Sequence, residues 1–133
     1  LIPGGGRRRP DGTGFGTRLE QHNPRLRAWL LNAAQSAQRV MSVCSGALIM
    51  AQSGLLDGKK ATTHRGAYGE LRAIGRDIEV IEDVKYVDTG KVISSGGISA
   101  GIDMALTVVG QTLSFEVAQQ TADYMEYDWR APE

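Results

Sequence analysis

The stretch that decides the fold runs Val40-Met41-Ser42-Val43-Cys44-Ser45-Gly46-Ala47. Residues 40–43 form a short, largely apolar run that is typical of a buried strand. Residues 46–52 predict a helix, and Gly54 suits the C-terminal cap of that helix. Cys44 therefore lies where the strand turns into the helix.

A sharp strand-to-helix turn lifts a nucleophile out of the sheet and strains its backbone. The turn brings strand and helix close together, and the small residues Gly46 and Ala47 allow this approach. A helix N-terminus favours the thiolate form of a cysteine, which is the reactive form. The N–H of Ser45 would point where an oxyanion develops. The alternative is a buried structural cysteine, a common role for a lone thiol.

The rest of the chain alternates strands with helices. Asn23 followed by Pro24 predicts a helix start, and an apolar stripe is expected to face the core. The stripe consists of Leu26, Trp29, Leu30 and Ala33. Further segments are strands at 60–63 and 78–81, a helix at 66–73, a hairpin of 84–88 with 92–95, a helix capped by Ser99, and a helix at 115–125. This order predicts a parallel α/β sheet with a small antiparallel addition.

Three polar or glycine-rich segments follow predicted strands. They are Gly4-Gly5, Cys44-Ser45 and Thr63-His64. In parallel α/β sheets, ligands bind beyond the carboxyl ends of the strands. We therefore expect these three segments to converge on one site.

The bulk composition excludes several classes of protein. The 133 residues suffice for one domain, and 15 basic residues balance 15 acidic ones, so no global charge favours nucleic acid or an anionic membrane. A single cysteine excludes an internal disulfide and fits a reducing, cytoplasmic location. Two histidines and one cysteine are too few for a zinc site, so no metal is expected. No stretch is long and apolar enough to span a bilayer.

Two features near the N-terminus bear on function and on domain extent. The run Arg7-Arg8-Arg9 is interpreted as a solvated turn rather than a phosphate clamp, and no nucleotide-binding glycine motif is present. Leu1, Ile2 and Pro3 read as the last step of a strand whose beginning is absent. The expectation is therefore a partial domain covering residues 1–133, with its N-terminal segment missing.

Five blocks of sequence carry a family resemblance. They are Ile2-Pro3-Gly4-Gly5, Ser42-Val43-Cys44-Ser45-Gly46-Ala47, Gly54-Leu55-Leu56-Asp57-Gly58, Ala61-Thr62-Thr63-His64 and Gly97-Ile98-Ser99-Ala100-Gly101-Ile102-Asp103. In this order and spacing the chain resembles the ThiJ/PfpI (class I glutamine amidotransferase-like) superfamily, and most of all its isocyanide-hydratase-type members. The resemblance implies a flavodoxin-like parallel sheet with helices on both faces and a small β-hairpin.

The resemblance also implies roles for individual residues. Cys44 would attack or protonate a small electrophile, with His64 lining the site as a second catalytic residue. Gly4 and Gly5 would form the oxyanion turn, where the N–H groups of Gly5 and Ser45 donate. Ser45 stands where protease-like members carry histidine, which speaks against a protease. The hydratase-type members use an acid from a segment preceding Leu1.

Three functions follow as expectations. The first is a cysteine-dependent hydratase or lyase that acts on a small molecule and needs no cofactor. The second is the ligand-sensing domain of an AraC-type regulator, with nucleic acid as a partner only if a DNA-binding domain lies beyond Glu133. The third is a redox-stress protein in which Cys44 is oxidised.

The resemblance implies a homodimer. Asp103, in the first turn of a helix, is expected to stabilise the helix dipole.

Overall fold

A computed structural model describes residues 1–132 and contains six α-helices and five strands in that range. The helices are α1 (Thr17–Glu20), α2 (Pro24–Ser36), α3 (Gly46–Gln52), α4 (Tyr68–Ile74), α5 (Ala100–Thr112) and α6 (Phe115–Tyr124). The strands are β1 (Val40–Ser42), β2 (Lys60–Ala61), β3 (Glu79–Val80), β4 (Tyr86–Asp88) and β5 (Val92–Ser95). One turn of 3₁₀ helix, Arg65–Ala67, leads into α4.

The main sheet has the order β1-β5-β4 and contains the parallel pair that the sequence predicts. Strand β1 runs parallel to β5, with Met41 opposite Ile93. Strands β4 and β5 form the predicted antiparallel hairpin. Ile2 forms a parallel bridge with Ser42, so the start of the chain lies beside β1. Strands β2 and β3 pair in parallel with each other and are shorter than predicted. The α/β fold with a parallel sheet is therefore confirmed.

Helix α3 ends where the sequence predicts. Gly54 has φ 87°, and its N–H donates to the carbonyl of Ala51, while the N–H of Leu55 reaches the carbonyl of Met50. These two bonds form a Schellman motif, which satisfies carbonyls that the helix itself leaves free. Residues 46–51 are buried, so α3 is the central helix of the larger apolar cluster.

Helix α2 begins as predicted but presents a different face to the core. The side chain of Asn23 accepts hydrogen bonds from the N–H groups of Arg25 and Leu26, which confirms the N-cap. Leu30 is buried, but Trp29 is 64% exposed, so its assignment to the buried stripe was wrong. Trp29 lies about 100° around the helix from Leu30, at the edge of the contact face.

Helix α5 begins at Ala100 as predicted, but the side chain of Ser99 makes no capping bond. The backbone of Ser99 is already helical, whereas a capping side chain usually needs an extended residue. Asp103 in the first turn is buried, and it accepts hydrogen bonds from Lys85 Nζ at 2.5 Å and Tyr127 Oη at 2.9 Å. The bond to Asp103 raises the pKa of both Lys85 and Tyr127. Asp103 thus joins α5 to the residue that precedes β4 and to the C-terminal segment, besides its place near the helix dipole.

The C-terminal helices form a second apolar cluster. Helices α5 and α6 bury Leu106, Ala118 and Ala122 together with Trp129. Tyr124 is 92% exposed, so of the aromatic residues in this segment Trp129 covers the core and Tyr124 does not. Within residues 1–132, no helix has the length and apolar character needed to cross a membrane.

Two glycine substitutions should change stability in opposite directions. Gly54→Ala places a side chain at φ 87° and should lower the free energy of unfolding by about 1–2 kcal/mol. Gly69 lies in α4 with open space around it, so Gly69→Ala should raise the free energy of unfolding by about 0.5 kcal/mol. Urea denaturation of the two variants measures both values. Equal effects would contradict the C-terminal cap described for α3.

Candidate active site

Cys44 lies at the bend between β1 and α3 with φ 57°, a left-handed backbone that non-glycine residues rarely adopt. Its N–H donates to the carbonyls of Ser95 at 3.2 Å and Gly96 at 3.0 Å. Its carbonyl accepts a hydrogen bond from Thr63 Oγ1 at 2.9 Å. Both backbone polar groups of Cys44 are thus bonded to other strand ends, and these bonds hold the strained residue in place.

The glycines beside the elbow are required by space. A Cβ added to Gly4 would lie 2.6 Å from the Cβ of Cys44 and 2.7 Å from the Val43 carbonyl oxygen. A Cβ added to Gly46 would lie 2.5 Å from the carbonyl oxygen of Ile2. Real Cβ atoms do not approach other atoms so closely. The segment 2–5 therefore packs directly against the turn that carries the thiol.

A ring of hydrogen bonds fixes the glycine turn to the elbow. The N–H of Gly5 donates to Ser45 Oγ at 3.1 Å, and Thr17 Oγ1 donates to the Gly5 carbonyl at 2.8 Å. The two hydroxyl oxygens, of Thr17 and Ser45, are 2.9 Å apart. Thr17 Oγ1 is thus within donating distance of both the Gly5 carbonyl and Ser45 Oγ, and Ser45 Oγ in turn lies 3.4 Å from the Gly5 carbonyl oxygen. The three residues therefore form one closed hydrogen-bond network.

This ring determines which of the two predicted oxyanion donors, the N–H groups of Gly5 and Ser45, is free to bind a ligand. The N–H of Gly5 is already bonded to Ser45 Oγ. The N–H of Ser45 donates to no protein atom among residues 1–132 and follows the cysteine directly. A Cβ on Gly4 would be 3.0 Å from the Ser45 nitrogen, which shows that the space beside this N–H is open only because residue 4 is glycine. Ser45 N–H is thus the donor that is free beside the thiol.

His64 is held between two glycines. Its Nδ1 accepts a hydrogen bond from the N–H of Gly66 at 3.0 Å. A Cβ on Gly97 would lie 2.7 Å from Cδ2 of the ring. Because Nδ1 is the acceptor, the neutral imidazole carries its proton on Nε2. His64 therefore presents a donor rather than a free lone pair.

The predicted site residues meet in one cavity of 510 Å³. Cys44, half-buried, lines it together with Gly4, Gly5, Ser45 and His64. The structure thus brings the three predicted strand ends together at this cavity, and the catalytic roles of these residues stay predictions. The cavity also has walls that the sequence interpretation did not assign to it. They are Gly6, Arg7, Arg18, Val43, Gly66 and Ile98.

Arg18 is the most constrained of these additional residues. Its Nη2 and Nε lie 2.7 and 2.9 Å from Glu70 Oε1, and its Nη1 donates to the Gly6 carbonyl at 3.1 Å. The pair joins α1 to α4 across 52 positions of sequence. No local pattern marks such a contact. Within the described residues no group of three or more His, Cys, Asp or Glu side chains could hold a metal ion.

The profile of the DJ-1/PfpI family matches residues 1–111 of the chain. The chain belongs to the DJ-1/PfpI family. The matched range includes the glycine turn, the cysteine elbow and the helices that follow, since it begins at Leu1 and extends through almost all of α5.

Individual relatives in the DJ-1/PfpI family are of two kinds. The chain is 36% identical over 118 residues to a protein named isonitrile hydratase from Pseudomonas putida, covering 89% of this chain and 50% of that protein. It is 27% identical to the HTH-type transcriptional regulator CdhR from Pseudomonas aeruginosa, covering 79% of this chain and 31% of the regulator. The chain thus spans half or less of the length of these relatives.

Solved structures agree with this assignment. A ThiJ/PfpI family protein from Pseudomonas syringae superposes with a TM-score of 0.77 at 29% identity, covering 89% of this chain and 48% of the other. Drosophila melanogaster DJ-1beta superposes with a TM-score of 0.70 at 19% identity, covering 87% and 61%, respectively. The second comparison supports the fold alone.

The hydrogen-bond ring predicts energetic coupling between Thr17 and Ser45. Thr17→Val and Ser45→Ala should each lower the free energy of unfolding by about 1–2 kcal/mol. The double variant should lose about 1 kcal/mol less than the sum, because either substitution breaks the same ring. Urea denaturation of the wild type, the two single variants and the double variant gives the four free energies of this double-mutant cycle. As a control, Thr17→Val combined with Ser114→Ala, which removes the N-cap of α6, should be additive, and additivity at the ring pair would contradict the network.

Proposed function

We propose that the protein is a cysteine-dependent hydratase acting on a small isonitrile-like electrophile. The observation that carries the proposal is the cavity itself, which is lined by both Cys44 and Ser45, the latter with an N–H that donates to no atom of residues 1–132. A volume of 510 Å³ suits a small molecule. The 36% identity to a protein named isonitrile hydratase supports the choice of electrophile.

Isonitrile hydration through a thiol balances without a cofactor. The sulfur of Cys44 bonds to the terminal carbon of the isonitrile, and the thiol proton moves to that carbon, which gives a thioimidate. Water then adds across the carbon–nitrogen double bond, with oxygen on carbon and one proton on nitrogen. Collapse of the tetrahedral intermediate expels the sulfur, which recovers a proton from the hydroxyl group. The product is an N-substituted formamide.

The backbone donors act on the second step. Oxygen bonded to carbon in the tetrahedral intermediate gains negative charge when its proton leaves, and the N–H of Ser45 beside the sulfur stabilises it. The N–H of Gly5 joins as a second donor only when its bond to Ser45 Oγ opens. Gly4 keeps this space clear because it carries no Cβ. We therefore assign the larger share of oxyanion stabilisation to Ser45.

His64 acts in this proposal as a hydrogen-bond donor. With Nδ1 engaged by Gly66, its Nε2–H is the group that can reach a substrate nitrogen or a water molecule in the cavity. A general-base role would require the Gly66 bond to break. The proposal therefore places the proton transfers on the sulfur and on water, with His64 orienting the reacting groups.

A ligand-sensing domain is the second candidate function. The 27% identity to the regulator CdhR supports it, because that match includes the elbow region of this family. A sensor would bind its ligand in the same cavity and release it unchanged. Measurement of ligand consumption therefore separates the two candidates. A homodimer stays a prediction under either function.

Cys44→Ala should abolish hydration while leaving the fold intact. The thiol supplies the bond-forming atom, so the rate of consumption of an alkyl isonitrile should fall by at least about 10³-fold. Gas chromatography of the formamide product measures the rate, and urea denaturation checks the fold. Arg25→Gln, on the exposed face of α2, is the matched control and should retain the full rate. Turnover that survives in Cys44→Ala would contradict the mechanism.

A further inference from the structure

We propose that the Cys44 cavity takes an anionic electrophile and that Arg7 recognises its negative group, such as a carboxylate. The inference deepens the proposed function by naming the substrate class of the same cavity. The part of the inference that concerns turnover rests on that function. Nothing in the hydration chemistry itself requires a charged substrate. The proposal comes instead from the charges around the cavity.

The three consecutive arginines behave differently from one another. Arg8 pairs with Glu70 at 3.4 Å, and Arg9 lies over the ring of Phe15 at 5.1 Å and donates to Thr13 Oγ1. Arg7 is exposed, and its side chain forms no hydrogen bond or ion pair with residues 1–132. Arg7 is also the one member of the run that lines the thiol cavity. All three arginines are exposed, in line with the interpretation of this run as a solvated turn, and Arg7 alone has no side-chain partner within residues 1–132.

The neighbouring charges do not neutralise Arg7. Glu70 is shared by Arg8 and Arg18, so the one carboxylate already pairs with two guanidinium groups, and Arg7 adds a further positive charge that has no acidic partner within residues 1–132. No aspartate or glutamate of the described chain lines the thiol cavity. Asp11, the nearest acid in sequence, accepts hydrogen bonds from Thr13, and these bonds lower its pKa. It is not among the residues that line the cavity.

A second cavity of 480 Å³ meets the first at His64 and Ile98, but its lining does not carry the same excess of positive charge. Its basic residues are Arg65 and Lys85, and its acidic residue is Asp83. Lys85 is also bonded to the buried Asp103. The positive excess therefore lies on the Arg7 side of the sulfur.

A carboxylate is the chemistry that fits this arrangement. Guanidinium groups bind carboxylates through paired, charge-assisted hydrogen bonds. Arg18 already has such a partner in Glu70, whereas Arg7 has its donors free. A small electrophile that carries a carboxylate would therefore place its reactive carbon at Cys44 and its charge at Arg7.

Alkylation of Cys44 tests the charge preference without turnover. Iodoacetate is anionic and iodoacetamide is neutral, and both form the same bond from sulfur to CH₂ carbon as iodide leaves with its electron pair. The chain has one cysteine, so intact-mass spectrometry follows this single site. The measured quantity is the ratio of the iodoacetate rate to the iodoacetamide rate.

Arg7→Gln should lower this ratio by about fivefold, the effect of one nearby charge in a partly hydrated site. Arg7→Lys should retain most of the ratio, and Arg25→Gln should leave it unchanged. Added salt should lower the ratio in the wild type and lower it less in Arg7→Gln. An identical ratio in the wild type and Arg7→Gln would overturn the proposal.

Kinetics with two isonitriles separate this inference from the proposed function. If the protein is a hydratase, isocyanoacetate should be preferred over a neutral alkyl isonitrile in kcat/KM, and Arg7→Gln should remove the preference mainly through KM. Hydration without such a preference would overturn the inference alone. Failure to consume either isonitrile, together with a ratio of alkylation rates that depends on Arg7, would overturn the proposed hydratase activity and support the recognition of an anionic ligand.

Discussion

The structure depends on one backbone constraint, the left-handed conformation of Cys44. A non-glycine residue at φ 57° costs of order 1–3 kcal/mol, and the surrounding structure must supply that energy. The stabilising hydrogen bonds come from the ends of two other strands: the carbonyls of Ser95 and Gly96 accept the N–H of Cys44, and Thr63 donates to its carbonyl. Because the sulfur is held at this bend, it faces the cavity rather than the core.

The same constraint explains the glycine turn at the start of the chain. Gly4 lies against the cysteine, and Gly5 is joined through Thr17 to Ser45. The ring leaves Ser45 N–H as the unused donor beside the sulfur. The positive charge at the cavity comes from Arg7 in the loop after this turn and from Arg18 in α1, which both line the cavity. Packing and donor placement at the elbow are therefore consequences of one local geometry, and the charge is added by the segment that follows it.

The sequence predicts those parts of the molecule whose cause is local. The cap at Asn23, the end of α3 at Gly54 and the strand ends around Cys44 each depend on neighbouring residues, and each is found. The short helix α1, the buried Thr17 and the Arg18–Glu70 pair depend on contacts 28 to 52 positions apart, which no periodicity reveals. The exposure of Trp29 belongs with these, because the centre of the buried face is set by packing partners.

The most direct test of the account compares two substitutions at position 44. Both remove the sulfur, but glycine tolerates φ 57° and alanine does not. We expect Cys44→Gly to exceed Cys44→Ala in free energy of unfolding by about 1 kcal/mol, against the usual order in which glycine is the less stable. Urea denaturation measures the difference. An alanine variant that is more stable than the glycine variant by the ordinary margin of about 0.5–1 kcal/mol would show that position 44 carries no strain, and the elbow would lose its physical basis.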